Sequence, residues 1–324
     1  MKSPSVVVHL TEVKPSTTIA SARIAKFVKN VLNVDLFVDN LLDIKVFLDE
    51  FKTFGRVYLV NGPPAFCQFR EELAQMVRRC EDLVFIQNDY TIYPPSQVNK
   101  VMRERGWIGE KGEVDPPARW TTIPARLKKL EDSYINWNAL TFDPARRVPT
   151  NRLNKLFYYG AFRDGRVESF MRFFPEIQEK LVISGSGRAE KKFRSHFDKA
   201  GYLDPQEDII KACSAFAYGL YIEDKSSHRT YMSLANRFYE MLSAKMLIYV
   251  DDEAIPTFTQ AGYMVPDEAV VTDGDELRRA MRRKKVNARL QRWQHKHWRP
   301  IALRQHTDLP YEIRRAQKHL ENST

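Results

Sequence analysis

The fold of this chain is decided by the stretch KLFYYGAFRDGRVES, which spans residues 155–169. Its apolar run, Leu156–Tyr159, predicts a buried strand that stops at Gly160. A turn carrying Arg163 and Arg166 follows, and a helix begins directly after it. Helix N-termini and guanidinium forks both favour negative charge, so the turn predicts a site for an anion, above all a diphosphate. A solvated loop that carries two arginines is the alternative interpretation.

Apolar runs alternate with helical patterns on both sides of this stretch. Strands are predicted at Val6–Leu10, Val34–Val38, Arg56–Val60, Leu83–Gln87, Leu156–Tyr159, Lys180–Ser184, Ala215–Ile222 and Met246–Val250. Helices are predicted at Thr18–Leu32, Phe69–Cys80, Val167–Phe174, around Glu207–Cys213, and at Met232–Ser243. This alternation is typical of open parallel sheets. It predicts an α/β protein with two Rossmann-like, doubly wound domains, residues 1–150 and 151–324, facing a central cleft. Ligands of such sheets bind beyond the carboxyl ends of the strands, where the glycine-arginine turn lies.

Length and composition fit a globular protein of two domains. The chain has 324 residues, of which 43% are hydrophobic and 28% are charged. No apolar run approaches the roughly 20 residues that span a bilayer, and the N-terminal run is too short for a signal peptide. A cytoplasmic protein is therefore expected. The three cysteines, Cys67, Cys80 and Cys213, are widely spaced and predict buried thiols rather than a disulfide framework or a zinc site.

The charge of the chain predicts a polyanionic partner. The formal net charge is +10, which favours nucleic acid first and an anionic membrane second. From Arg278 to Arg304 there are eleven Lys or Arg residues and no Asp or Glu. Such a run predicts contacts to DNA phosphates, with a solvated helix face as the alternative. The candidates for the DNA backbone are Arg282, Arg283, Lys284, Lys285, Arg289 and Arg292. The tail predicts helices with breaks at Pro300 and Pro310 that return to the first domain.

Two further patterns suggest a nucleotide site in the second domain. Gly185 and Arg188 follow a predicted strand, so backbone could approach a ligand there, although a plain strand-to-helix turn is the favoured interpretation. Arg237 and Glu240 are three residues apart on one predicted helix. A carboxylate so placed could accept hydrogen bonds from vicinal ribose hydroxyls while the arginine reaches a phosphate. A surface ion pair is the alternative.

Carboxylates follow two other predicted strands. Asp89 ends the strand DLVFIQND and is placed to act as a general base, with a turn-forming Asn–Asp pair as the equal alternative. Asp251, Asp252 and Glu253 follow the strand ending at Val250. Acidic clusters can bind Mg²⁺, but capping of the next element is the favoured interpretation here.

Taken together, these residues resemble the DNA β-glucosyltransferases of T-even-type bacteriophages. The family has a strand, then Gly-Ser-Phe-Arg, a glycine and Arg-Glu-Ser, and the corresponding residues here are Gly160–Ser169. Its Arg-x-x-Glu helix is present as Arg237 and Glu240. The similarity covers roughly residues 6–285, and it includes VKPSTTI near the N-terminus, NVDLF, and Asp89 followed by Pro95, Ser96 and Gln97.

Three departures from the family pattern concern the donor. The phosphate-contacting serine is replaced by Ala161, and the second arginine is shifted by one position to Arg166, with Val167 in its place. The family's sugar-contacting glutamate falls on Thr17. That last difference leaves the identity of the transferred sugar undetermined, while the other residues still fit UDP binding.

The resemblance implies a GT-B fold and the transfer of glucose from UDP-glucose to the hydroxymethyl group of 5-hydroxymethylcytosine in duplex DNA. By this resemblance Asp89 is the catalytic base of an inverting reaction, and the modified base leaves the stack to reach it. Donor-binding residues would be Gly160, Ala161, Arg163, Arg166, Gly185, Arg188, Arg237 and Glu240, with Thr17 and Thr18 near the sugar or the acceptor. The resemblance leaves a requirement for Mg²⁺ or Mn²⁺ undetermined, and it assigns no residue to a metal. A monomer is expected.

Three alternative functions remain at this point. The same reaction with another UDP-sugar, such as arabinose, or on 5-hydroxymethyluracil fits the same residues. A GT-B enzyme with a lipid, metabolite or RNA acceptor is the second. A non-catalytic nucleic-acid-binding protein, whose arginines contact only DNA phosphates, is the third.

Overall fold

The chain divides into two compact units in the computed structural model. The structure describes residues 3–9, 15–38, 41–60, 71–86, 119–123, 135–160, 162–185, 188–197, 200–202, 208–223 and 234–322. One unit comprises Met1–Trp137 with Asp308–Thr324, and the other comprises Asn138–Thr307. Residues 138–150, assigned from sequence to the first domain, therefore lie in the second unit. Their short 3₁₀ helix, Trp137–Thr141, is tied to that unit because Nδ2 of Asn138 donates to the carbonyl of Leu234 (2.8 Å).

The first unit contains a parallel sheet with strand order β2-β1-β3-β4-β5 in its described part. The strands are β1 (Val6–Val8), β2 (Leu36–Val38), β3 (Phe54–Val60), β4 (Cys80–Ile86) and β5 (Arg119–Ile123). The helices are α1 (Pro15–Val31), α2 (Leu41–Glu50) and α3 (Glu71–Arg78). The described apolar side chains of β1, β3 and β4 are buried in the core of the unit, as parallel strands covered by helices require. The strand order reverses between β1 and β3.

The second unit contains a six-stranded parallel sheet in its described part, with strand order β11-β10-β9-β6-β7-β8. The strands are β6 (Leu153–Tyr159), β7 (Leu181–Gly185), β8 (Ala200–Tyr202), β9 (Phe216–Tyr221), β10 (Leu247–Asp251) and β11 (Val270–Val271). The strand order reverses between β6 and β9. In doubly wound sheets a ligand crevice forms at such a reversal, outside the carboxyl ends of the strands. The strand that precedes the glycine-arginine turn is therefore at the centre of the fold.

Seven α-helices cover this second sheet within the described ranges. They are α4 (Val167–Phe173), α5 (Arg188–Arg194), α6 (Ile209–Ser214), α7 (Asn236–Ser243), α8 (Ile255–Gln260), α9 (Gly274–Arg282) and α10 (Lys284–Asn322). Phe238 and Met241 of α7 are buried, and so is Leu234 just before the helix. Aromatic rings fill the layer between β6 and α4, where Tyr158 meets Phe170 and Phe174 at ring-centre distances of 5.3 and 5.1 Å.

The C-terminal tail forms one helix of 39 residues, so the predicted breaks at Pro300 and Pro310 are wrong. Proline removes a backbone donor and crowds the preceding turn of a helix, but burial along α10 outweighs this. Trp298 is fully buried, and its indole N–H donates to the carbonyl of Met264 (2.7 Å). The amide of Gln294 pairs with both the N–H and the carbonyl of Ile248 (3.0 and 2.7 Å), as a neighbouring strand would.

Two sequence expectations concern the whole chain. Cys80 and Cys213 are buried free thiols as predicted, and Cys67 lies outside the described residues. Among the helices of the described ranges, none is both long enough and apolar enough to cross a membrane.

Candidate functional site

The candidate site of the second unit lies where β6 and β9 end, at the reversal of strand order. Gly160 follows β6, Glu223 lies two residues after β9, and α7 supplies Arg237 and Glu240. Arg166 reaches the same place from the short 3₁₀ helix Asp164–Arg166. The structure thus brings together four of the residues predicted from sequence and adds one that was not.

Gly160 is required by the close approach of an arginine. Its φ is +133°, which residues with a side chain rarely adopt. A Cβ atom at this position would lie 2.6 Å from Nη2 of Arg237. Its N–H donates to the carbonyl of Ser184 on β7 (3.2 Å). The glycine therefore turns the chain after β6 and leaves the space that the guanidinium occupies.

Arg237 is held by the ends of both central strands. Its Nε donates to the carbonyl of Tyr159 (3.1 Å), and its Nη1 donates to the carbonyl of Ile222 (2.9 Å). The guanidinium carbon lies 4.6 Å from the centre of the Tyr158 ring. Because the side chain is only 7% exposed, these contacts fix a charged group at the carboxyl edge of the sheet.

Glu223 bridges two buried arginines. One carboxylate oxygen accepts a hydrogen bond from Nη1 of Arg237 (3.3 Å), and the other accepts one from Nη2 of Arg166. All three side chains are buried. Two guanidinium groups thus share one carboxylate, and the triad carries one positive charge in excess. Sequence reasoning missed Glu223, although its position just after the strand FAYGLYI was a signal of the same kind as that of Asp89.

Glu240 is positioned by a tyrosine of β6. Its Oε2 accepts a hydrogen bond from the hydroxyl of Tyr159 (2.6 Å), and both side chains are buried. Burial, and next the charge of Glu240, raise the pKa of Tyr159 well above its ordinary value, so the hydroxyl stays protonated and donates. Arg237 and Glu240 therefore present a cation and an orientated carboxylate from the same helix.

The remaining predicted donor residues fall into three groups. Arg163 is exposed, and its carbonyl accepts a hydrogen bond from the N–H of Arg166 (3.0 Å), so it starts the turn that positions Arg166. Gly185 is explained by packing, since a Cβ there would lie 3.0 Å from the backbone nitrogen of Glu190 on α5. Three residues have positions in helices but no described side chain, namely Thr17 and Thr18 in α1 and Arg188 in α5. Ala161 and Asp89 lie outside the described residues.

The acidic cluster after β10 is engaged with an arginine. Nη2 of Arg172 donates to both carboxylate oxygens of Asp251 (2.7 and 2.6 Å), and Nη1 lies 3.4 Å from Asp252 and 3.6 Å from Glu253. Asp251 also accepts from the N–H of Glu253 (3.3 Å), which confirms the capping interpretation. Burial and the neighbouring Asp252 raise the pKa of Asp251 to about 7. Over the described ranges, no group of three His, Cys, Asp or Glu side chains could hold a metal ion.

The predicted DNA-backbone residues are not brought to this site. Arg282, Arg283, Lys284, Lys285, Arg289 and Arg292 are all exposed, at the end of α9 and in the first turns of α10. Arg289 forms an exposed ion pair with Glu268 (3.0 Å). Lys284 and Arg292 line a pocket at the amino ends of β6, β9 and β10, the opposite edge of the sheet from Gly160.

Comparison with known proteins identifies the fold. No family model and no curated protein matches the chain. A solved structure of T4 phage β-glucosyltransferase in complex with UDP and Mn²⁺ matches with a TM-score of 0.63 at 15% identity, over 98% of both chains. The same phage enzyme in complex with its UDP-glucose substrate gives 0.60 at 13% identity, again over 98% of both chains. The chain shares the fold of T4 phage β-glucosyltransferase.

A third solved structure broadens the comparison. An α-glucosyltransferase in complex with UDP and a 13-mer DNA matches with a TM-score of 0.50 at 11% identity, over 91% of this chain and 95% of the other. The predicted GT-B type of fold, with two doubly wound parallel sheets, is confirmed by these matches and by the strand order. The resemblance to phage DNA β-glucosyltransferases, first seen in the glycine-arginine turn, is confirmed at the level of the fold.

Proposed function

We propose that this chain is a UDP-sugar-dependent DNA glycosyltransferase that moves glucose from UDP-glucose to the hydroxymethyl group of 5-hydroxymethylcytosine in double-stranded DNA. The observation that carries the proposal is the Arg166–Glu223–Arg237 triad beside Glu240, at the strand reversal where such sheets bind ligands. The shared fold with T4 phage β-glucosyltransferase, solved with UDP and with UDP-glucose, supports it.

The described residues fit a nucleoside diphosphate. Arg166 and Arg237 place two buried guanidinium groups at this edge of the sheet, and planar guanidinium groups are suited to phosphate oxygens. Glu240 is a hydrogen-bond acceptor for ribose hydroxyls, and the Tyr159 hydroxyl sets its orientation. Arg163 lies exposed at the start of the same turn, and we assign it to the outer face of the diphosphate.

The chemistry assigned to these residues is an in-line displacement. Asp89 removes the proton of the acceptor hydroxymethyl group as its oxygen attacks the anomeric carbon, which inverts the configuration. The bond from that carbon to the diphosphate oxygen breaks, and the arginines stabilise the negative charge that develops on the departing UDP. The acceptor base leaves the helix stack to reach the donor.

A divalent metal has no fitting site among the described carboxylates. The cluster of Asp251, Asp252 and Glu253 is directed at Arg172, and hard cations need such oxygens unengaged. A bound Mg²⁺ or Mn²⁺ would neutralise diphosphate charge together with Arg166 and Arg237. The transferred sugar and the acceptor base remain proposals, with arabinose and 5-hydroxymethyluracil as the alternatives.

The transfer reaction tests the proposal directly. Purified protein incubated with UDP-glucose and 5-hydroxymethylcytosine duplex DNA should yield glucosylated nucleoside on mass spectrometry after digestion. Unmodified cytosine DNA of the same sequence is the control and should yield none. Failure with a panel of UDP-glucose, UDP-arabinose, UDP-galactose and UDP-N-acetylglucosamine on both hydroxymethylated pyrimidines would refute it.

Asp89→Ala tests the assignment of the base. The variant should lose turnover while its affinity for UDP stays within a few-fold of the wild-type value, because the aspartate acts on the acceptor and not on the donor. Isothermal titration with UDP and the transfer assay measure the two quantities separately. Normal turnover in the variant contradicts the assignment.

The basic segment Arg278–Arg304 supports a second candidate function, that of a non-catalytic nucleic-acid-binding protein. Binding of UDP separates the two, because a ligand that binds only the native state stabilises it by about 2.7 kcal/mol at 100 times its Kd. Under the proposed function, millimolar UDP raises the melting temperature. An unchanged melting temperature favours the second function.

A further inference from the structure

A cationic pocket lies at the amino edge of the second unit's sheet. It has a volume of about 810 Å³ and is formed by the first residues of β6, β9 and β10 together with the first turns of α10. Its floor includes apolar side chains such as Leu242, Met246 and Leu247. Its basic lining residues are Arg152, Lys245, Lys284, Arg292, His295 and Lys296. None of the described residues that line it is Asp or Glu.

The positive charge of the pocket is not neutralised by its own hydrogen bonds. The guanidinium of Arg152 donates to the carbonyls of Lys245 and Ala244 (2.7 and 2.8 Å), and the amide of Gln291 also donates to the carbonyl of Lys245 (2.6 Å). These partners are neutral. Burial, and next Arg299 and Lys245, lower the pKa of His295, so this histidine is neutral at pH 7. Five formally charged Lys and Arg side chains therefore remain in the lining.

One of these cations occupies a strained backbone position. Lys245 has a φ of +52°, and it ends α7 in a Schellman motif in which the N–H of Met246 donates to the carbonyl of Met241 (3.1 Å). Glycine is the usual residue at this position, and a residue with a side chain costs about 1–2 kcal/mol there. Strained residues cluster at functional sites, because their side chains are kept for a purpose other than stability. The lysine places a cation in the pocket.

The positive surface continues beyond the pocket along α10. Lys285, Arg289, Arg292 and Lys296 recur at intervals of four, three and four residues and thus share one face of the helix. Arg289 is the one of these four that has an ion pair in the described structure, with Glu268 (3.0 Å). Eleven residues of helix span about 16 Å. A single small anion would not use a row of this length, whereas duplex DNA carries a negative charge about every 1.7 Å along its axis.

We propose that the cationic pocket and this face of α10 bind the phosphodiester backbone of double-stranded DNA, as a site separate from the donor site. The inference rests on the proposed function only in taking duplex DNA as the partner. Gly160 and Arg237 lie at the carboxyl ends of the strands, and the pocket lies at their amino ends. Binding at the pocket is therefore independent of UDP and of base modification, and it holds the protein on DNA of any sequence.

Fluorescence anisotropy with an unmodified duplex, without donor, tests the site. A charge-reversal variant, Lys284→Glu with Arg292→Glu and Lys296→Glu, should bind at least tenfold more weakly near 0.1 M salt. Each lost phosphate contact lowers the slope of log affinity against log salt by about 0.9, so the slope should fall by about 2–3. The matched control reverses three exposed cations further along the same helix, Arg304, Arg314 and Lys318. It should retain most of the affinity and the slope.

Lys245→Gly tests whether a loss of DNA binding could result from misfolding, because this substitution should stabilise the fold. It removes a cation from the pocket and relieves the backbone, so the protein should unfold at a higher urea concentration while DNA binding weakens about threefold. UDP affinity should stay unchanged in every variant.

Three results would overturn the proposal. One is a charge-reversal variant that binds the duplex as the wild type does, and another is a control variant that loses as much affinity. The third is evidence that the pocket binds a small anion instead. In that case inorganic phosphate would stabilise the wild type but not the charge-reversal variant, and the two proteins would bind the duplex with equal affinity. Loss of DNA binding in the first variant combined with no sugar transfer by the wild type would refute the proposed function alone.

Discussion

Gly160→Ala would place a methyl group 2.6 Å from Nη2 of Arg237 at a backbone φ of +133°. We expect the free energy of unfolding to fall by about 1–3 kcal/mol, because both the strain and the displaced guanidinium oppose folding. We also expect UDP to bind at least tenfold more weakly. Urea unfolding and isothermal titration measure the two effects.

Gly262→Ala is the matched control for this substitution. Gly262 has a φ of +84°, but no described atom lies within 4 Å of a Cβ built there. It should lose stability through strain alone and keep its UDP affinity. If Gly160→Ala also keeps UDP affinity, the position of Arg237 is not what binds the donor.

Tyr159→Phe removes the hydroxyl that donates to Oε2 of Glu240 (2.6 Å). Without that donor the carboxylate is held less firmly, so we expect the KM for the UDP-sugar to rise several-fold while kcat changes little. Tyr158→Phe is the control, because the hydroxyl of Tyr158 is buried and has no hydrogen-bond partner among the described residues. Its removal should leave the KM unchanged and raise stability by about 1 kcal/mol. Equal KM values in the two variants would mean that Glu240 does not contribute to donor binding.

Residue spacing predicted part of this site and missed part of it. Arg237 and Glu240 were found because an i, i+3 pair on one helix must project to one side, and the structure places both beside Gly160. Glu223 was missed because no helical or strand period links it to Arg166 or Arg237. Only the alignment of strand ends in the folded sheet brings these three together.

Among the secondary-structure elements, α7 is followed by a lysine, Lys245, whose backbone conformation lowers the stability of the fold. Lys245 and Asn33 are the two described residues with a side chain and a positive φ, and each ends a helix through a Schellman hydrogen bond. Lys245→Gly should raise the free energy of unfolding by about 1 kcal/mol, since glycine adopts this conformation without a steric penalty. Asn33→Gly is the control and should gain less, because asparagine tolerates the left-handed region. Urea unfolding of both variants checks the difference, and a destabilised Lys245→Gly would show that the lysine side chain supports the fold.

The long helix α10 shows where local sequence rules fail at this scale. Proline residues predict helix ends because they lack an N–H and clash with the preceding turn. Pro300 and Pro310 nevertheless lie inside α10, where Trp298, Ala302, Leu309 and Ile313 are buried on the packed side. Tertiary burial at i, i+4, i+11 and i+15 outweighs the local cost, and no local pattern reveals its extent.

At the scale of the whole molecule, alternation of apolar runs and helical patterns predicted two doubly wound sheets, and the strand orders agree. Sequence reasoning missed six elements, namely α2, α5, α8, β5, β8 and β11. Five of them have no more than seven residues, whereas α2 is an apolar helix of ten residues. The structure divides the units at 137 rather than at the predicted 150, because the side chain of Asn138 donates to the carbonyl of Leu234 and the N–H of Asp143 donates to the hydroxyl of Ser243. Such ties link positions about 100 residues apart, which periodicity does not detect.

The C-terminal end of α10 returns to the first unit. Residues 308–324 belong to that unit, and Glu312 lies among them. Burial, and next the charge of Asp308, raise the pKa of Glu312 from 4.5 to about 7. The folded protein therefore binds this proton more tightly than the unfolded chain does. Stability is lost as the pH rises from about 4.5 to 7, and the full loss is present above pH 7.

Glu312→Gln should remove this dependence, because glutamine stays neutral at every pH. Since Glu312 is partly solvated, the gain at pH 8 should be about 1 kcal/mol or less, and it should vanish near pH 4. Urea midpoints of wild type and variant at pH 4, 6 and 8 measure the difference. Hydrogen exchange at pH 8 locates it, because slower exchange in the variant should be confined to residues 308–318 and the segment around Asn136 that contacts them. A gain that is constant with pH would mean that the carboxyl group does not titrate in this range, and the packing of α10 on the first unit would then be insensitive to its charge.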